Sequence, residues 1–190
     1  MNDEMDDLEI AQGKAANEVS AAILWAREAR GRKPFESDRV QPDWEDAYSA
    51  VQDRLTMAVF FIHMAGESRP RIKPRWSLNI AAGALWSAFD IFNKKVLQVP
   101  VVPRTSPWFD EHEPLVNRIR HGGVHFQQSH GIGKLLDLSQ AEPNKKRFLW
   151  VEGHGDIPFD DVLLRLKRVV DLLIDLIAET TIDNSEINFG

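Results

Sequence analysis

The sequence contains no cysteine. That excludes a disulfide framework and any thiolate-based metal site. It also fits a reducing compartment. No stretch is apolar for long enough to cross a bilayer. The opening residues, MNDEMDDLE, lack the positive charge of a secretory leader. The expected location is therefore the cytoplasm, with no membrane partner. No internal repeat is present, so repeat architectures are set aside. Excess positive charge is missing as well. The formal net charge is −6, which opposes broad non-specific binding to nucleic acid. Much of that charge is local. Asp3, Glu4, Asp6, Asp7 and Glu9 supply it with no basic residue among them, and the rest of the chain is close to neutral. A basic patch on the body stays compatible with the total.

What remains is an ordinary folding chain. Its 190 residues set one domain as the default. Six Trp and ten Phe supply large side chains for a core. Residues 1–9 read as an acidic flexible tail, 10–182 as the bundle domain, and 183–190 as a C-terminal tail. From Leu8 to about Ala29 the chain is rich in Ala and Glu and predicts a helix. GRKPFESDRVQP, residues 31–42, predicts a loop. A second helix follows, with Asp43 as its cap and Gly66 as its stop. Trp44, Tyr48, Val51, Leu55, Ala58 and Ile62 recur on one side of it. Near its end, MAVFFIHM is apolar all round, which predicts a central position.

The basic connector SRPRIKPR (68–75) leads to a third helix, 76–96. Its face is read as Trp76, Ile80, Leu85, Phe89, Phe92 and Val96. Ala81, Ala84 and Ala88 form a small-residue stripe that lets a neighbouring helix come close. Asp90 lies among apolar neighbours, and a buried carboxylate there needs a partner. VPVVPRTSP (99–107) is a proline-rich crossover. A short helix is expected over 111–121, ended by Gly122 and Gly123. VHFQQS (124–129) and KRFLWVEG (146–153) are β-prone and predict a small ribbon. The last helix is the clearest, with Asp156 and Pro158 at its start. Phe159, Val162, Leu163, Leu166, Val169, Val170, Leu173 and Ile177 define one face, and Arg165, Lys167, Arg168 and Asp171 the other. The expectation is all-α, a four- to five-helix bundle with a small β-hairpin.

The chemistry is concentrated in LVNRIRHGGVH, residues 115–125. On a helix Asn117 and His121 share a face, with Arg118 near the same edge. The Gly-Gly turn would let His125 fold back, and Arg120 adds a second guanidinium. Such a cluster suits metal-independent RNA cleavage. Histidine exchanges protons near neutral pH. Arginine binds phosphate oxygens bidentately, and asparagine orients either group. The same residues also suit a plain structural role, since positive charge complements a helix C-terminus. Asp90 and Asn93 on the third helix support either case. Asp90 would accept from Arg120 or orient His121, or it would form a structural salt bridge.

LVNRIRHG, closing a short helix late in a bundle, resembles the signature of HEPN-domain proteins. In that family an arginine is followed after four to six residues by a histidine, and the residue after the arginine is often asparagine. The resemblance implies an all-α homodimer whose two motifs meet in a cleft. It implies metal-independent ribonuclease activity of the kind found in bacterial defence and toxin–antitoxin systems, with no cofactor. It also covers inactive members that bind nucleotides or protein partners. Asn117 and His121 match when aligned on the asparagine, but Val116 then stands at the arginine position. Aligned on spacing, Arg118 or Arg120 pairs with His125, and neither is followed by asparagine. On this resemblance His121 and then His125 are the acid–base candidates, Arg118 or Arg120 the phosphate-binding group, and Asn117 the orienting group.

Two weaker constellations stand beside it. His121 and His125 are four apart, and His112, His130 and His154 could add to them. The glycines break the pair and the spacing is not a compact zinc pattern, so no metal is expected. Arg69, Arg71, Lys73, Arg75, Lys94, Lys95, Arg104, Lys145, Lys146 and Arg147 could make a backbone-tracking RNA patch if the bundle gathers some of them. Taken singly, each reads as a solvated loop charge.

Overall fold

The computed structural model describes residues 2–32, 42–67, 72–92, 116, 148–151 and 155–179. These form helix α1 (Asn2–Ala29), α2 (Pro42–Gly66) and α3 (Pro74–Ile91). A hairpin of β1 (Phe148–Val151) and β2 (Gly155–Pro158) follows, and then helix α4 (Phe159–Glu179). The chain is an all-α helical bundle carrying one small hairpin.

Helix α1 begins at Asn2, not Leu8. The acidic run expected as a tail is helical, because carboxylates at a helix N-terminus complement its dipole. Its other end is closed by glycine. Gly31 has φ +66, donates its N–H to Glu28 at 2.9 Å, and lets Arg32 donate to Arg27 at 2.9 Å. These are the two bonds of a Schellman cap, which needs a left-handed residue. Pro42 and Pro74 each open a helix, where a missing N–H costs nothing. Asp43 therefore sits inside the first turn of α2 instead of capping it.

The core is built mainly from α2, α3 and α4, and α1 closes one side. Helices α2 and α3 share the most extensive contact. Val51, Leu55, Ala58, Val59, Ile62 and Ala65 on α2 and Leu78, Ala81, Ala82, Leu85 and Ala88 on α3 are all buried. The small-residue stripe on α3 is therefore its packing face. The large-residue face expected for α3 is only half right. Leu85 and Phe92 are buried, but Trp76 is 51% exposed and Ile80 39%. Close backbone approach through alanine gave more contact than bulk could. On α4 Phe159, Val162, Leu166, Val169, Val170, Leu173 and Ile177 are all buried, with Leu163 packed against them, as the period required. Arg165, Lys167, Arg168 and Asp171 are exposed.

Helix directions follow from the side-chain pairs. Arg27 faces Tyr48, Ser20 bonds Gln52, and Glu18 meets His63. Rising numbers on α2 match falling numbers on α1, so the two are antiparallel. A Cβ at Gly66 would sit 3.7 Å from Leu163 Cδ1, and Arg30 bonds Asp175. Helix α4 thus starts where α2 ends and runs alongside α1.

The strand expected at 146–153 is present as β1, but its partner is β2, with Phe148 opposite Pro158 and Val151 opposite Gly155. Residues 124–129 lie outside the described residues. Asp156 and Pro158 belong to β2, and the helix starts one residue later at Phe159. Gly155 has φ +74, the left-handed conformation that a three-residue hairpin connection uses.

Two stability outcomes follow from these placements. Leu173→Ala should cost about 2–5 kcal/mol in urea unfolding, since the side chain is fully buried. The exposed control Leu164→Ala should stay within about 0.5 kcal/mol. Gly155→Ala should cost roughly 1 kcal/mol purely through backbone conformation. No atom lies within 4 Å of a Cβ placed there, so a neutral Gly155→Ala would contradict the hairpin geometry.

Candidate functional site

In the chain the sequence candidates lie at the end of α3 and in the segment that begins at Val116. Val116 is helical, 5% exposed, and part of the central apolar cluster. A medium-sized aliphatic side chain is easily accommodated there, whereas a guanidinium would need a buried partner. The position that the asparagine alignment reserves for arginine is thus a core position in this chain. Asn117, Arg118, Arg120, His121 and His125 lie outside the described residues, as does Asn93. So do the other histidines of the metal reading, His112, His130 and His154. Asp90 lies one residue before the end of α3, is half-buried, and has an interaction partner. That satisfies the requirement its apolar surroundings impose.

A polar seam that the sequence did not reveal joins α1, α2 and α4. His63 Nε2 is 3.5 Å from Glu18 Oε2. Asp171 on α4 is close enough to feel Glu18 and Asp175, and its pKa is raised. Partial burial is the first cause, the two carboxylates follow, and Lys167 pulls the other way. At the far end Arg30 Nη2 bonds Asp175 at 2.9 Å and lies 3.8 Å from Glu179. Its Nη1 donates to the Ala26 carbonyl at 2.9 Å, so one guanidinium both caps α1 and ties it to α4. Between these ends, Gln52 Nε2 donates to Ser20 Oγ at 2.7 Å.

Arg27 is the seam's buried member, at 7% exposure. Burial lowers its pKa first, with Arg32 adding to the effect and Tyr48 opposing it. Burial likewise raises the Tyr48 pKa, and Arg27 opposes that rise. The two groups stabilise one another's charged forms across the α1–α2 contact.

No sequence spacing links Glu18, His63 and Asp171, because each is simply a polar residue on the exposed side of its own helix. Only their near-identical height in the bundle brings them together. The seam is open to solvent, with the His63 and Glu18 side chains 45% and 55% exposed. Among the described residues no group of three His, Cys, Asp or Glu side chains could hold a metal. The seam fastens helices.

No family model, no curated protein and no solved structure matches this chain. Among the described residues no helix is long and apolar enough to cross a membrane.

The Asp171 environment sets a pH dependence. With its folded pKa above the unfolded value, Asp171 contributes stability below the unfolded pKa. That contribution is lost as pH rises through the folded pKa. Asp171→Asn should therefore raise the thermal midpoint at pH 7 and lose the advantage near pH 3. The gain should be small, within about 0.5 kcal/mol, because the side chain is solvent-screened. A variant less stable than wild type at pH 7 would show that the carboxylate's contacts matter more than its crowding.

Proposed function

We propose that this chain is a HEPN-like helical protein that cleaves RNA without a metal, using the segment after Val116. The observation that carries the reading is the motif itself in an all-α chain, tethered to the core. Val116 is locked among the central apolar residues, and Asn117 follows it directly. Asp90, half-buried near the end of α3, supplies a carboxylate on a rigid element.

In this reading a histidine, His121 first and His125 second, takes the proton from a ribose 2′-hydroxyl. The 2′-oxygen attacks the adjacent phosphorus, and the bond to the 5′-oxygen breaks. A second acid returns a proton to that leaving oxygen. The products are a 2′,3′-cyclic phosphate and a 5′-hydroxyl. Arg118 or Arg120 stabilises the extra negative charge on the non-bridging oxygens, and Asn117 orients the histidine or the phosphate. A dimer would bring two copies of the motif to one cleft. The setting would be bacterial defence or RNA metabolism.

One observation favours a second reading. Val116 is buried in the core where one alignment places the family's arginine. A chain that lost the catalytic arginine would be a non-catalytic module binding a nucleotide or a protein partner, as a regulator does.

The test is cleavage of mixed-sequence RNA in EDTA by wild type and by His121→Ala. The expected outcome is chelator-resistant cleavage, lost by at least about 10²-fold in the variant. Intact RNA after incubation with a folded wild type would shift the assignment to the binding module. Cleavage that EDTA abolishes would point to a metal site instead.

A further inference from the structure

Two surface features of opposite sign face solvent. The first is the N-terminal half of α1. From Asp6 to Lys14 no residue is buried, and Ala15 is the first core residue of the helix. Residues 6–14 therefore run along the outside of the bundle as an arm of about 13 Å. Five carboxylates lie at positions 3, 4, 6, 7 and 9. Asp6 and Ile10 are one turn apart on the same side, and Ile10 is 57% exposed. An exposed isoleucine beside carboxylates is an apolar contact framed by negative charge.

The second feature is the start of α3. SRPRIKPR carries four basic residues and no acidic one. Lys73, Trp76 and Ile80 fall on one side at steps of three and four. Trp76 is 51% exposed, Ile80 39%, and Arg75 is exposed beside them. Lys73 Nζ lies 5.2 Å from the Trp76 ring centroid. The first turn of α3 has no acidic residue and Lys73 makes no side-chain cap. The positive end of the helix dipole therefore adds to the basic side chains with no carboxylate in that turn to offset it.

We propose that two copies of this chain dimerise by exchanging these features. The acidic arm of each α1 lies across the basic, aromatic first turn of α3 of the other. Ile10 would cover Trp76 and Ile80, and Asp6 and Glu9 would meet Lys73 and Arg75. The patch of apolar side chains ringed by one charge on α3 finds the same pattern in the opposite sign on α1. The two-fold arrangement makes the contact twice, which is how isologous dimers double a modest interface. A second copy fits better than RNA. The arm brings a short run of carboxylates together with its own exposed apolar residue, matching both the charge and the apolar side chains of the patch on α3. This assignment stands independently of the ribonuclease reading.

The test uses the full chain in sedimentation equilibrium at low and high salt. Every substituted residue is exposed, and circular dichroism checks that helicity is kept. Wild type should dimerise at low salt and weaken as salt rises. Asp6→Lys with Glu9→Lys should weaken dimerisation by about tenfold or more, and so should Lys73→Glu with Arg75→Glu. Mixing the two reversed proteins should restore a dimer, because each arm then meets a patch of opposite sign. A monomeric wild type at low salt would overturn the proposal. So would one-sided variants that dimerise like wild type, or a mixture that stays monomeric. Undiminished dimerisation with lost binding of single-stranded RNA in Lys73→Glu with Arg75→Glu would reassign the patch to nucleic acid.

Discussion

The close contact between α2 and α3 is the constraint that the rest of the bundle obeys. Alanines at 58, 65, 81, 82, 84 and 88 are buried along these two helices. Small side chains let two backbones approach, so that Val51, Leu55, Ile62, Leu78 and Leu85 fill the remaining space. The large aromatic and aliphatic residues of α3 that cannot enter so narrow a contact are turned outward, as Trp76 and Ile80 are. Helix α4 then covers what the pair leaves open, with a continuous apolar face from Phe159 to Ile177. The buried Phe92 and Val116 extend the same core towards the candidate motif.

Helix α1 is held differently, and its functional interest comes from that. Its C-terminal half carries apolar residues at Ala15, Val19 and Ile23 and then polar fasteners. Arg27 beside Tyr48, Ser20 bonded to Gln52, and Arg30 on Asp175 tie it to α2 and α4. Its N-terminal half has charge in place of core residues. A helix that is half packed and half solvated presents surface at fixed geometry, and that surface has a strong sign. The raised pKa of Asp171 belongs to the same seam. It marks a place where carboxylates of α1 and α4 crowd one another at the edge of the core.

The candidate site shows two separate levels of legibility. Residue chemistry in LVNRIRHGGVH is visible in one dimension, and so is the family pattern it resembles. That Val116 is a core residue is a three-dimensional fact, because burial depends on what packs from other helices. The need of Asp90 for a partner was readable from its apolar neighbours on α3, and the partner exists. The Glu18, His63 and Asp171 seam had no signal in the sequence, since its members are remote in the chain and unremarkable one at a time.

By itself the sequence determined that these helices exist and roughly where they lie, with starts off by a few residues. The period of α4 settled its buried face, since a strongly segregated helix has only one side to bury. Glycine at 31 and proline at 42 and 74 set where helices stop and start, because φ and the missing N–H act locally. The acidic N-terminus carried a helix signal too, through the dipole, although it reads equally as a solvated run. Tertiary structure alone decided which side of α3 faces α2, because alanine and tryptophan faces compete and only the partner's shape chooses. It also decided that β1 pairs with Gly155–Pro158, three residues further along the chain, where a glycine with left-handed backbone begins the returning strand. Short loops close at lower entropic cost than long ones.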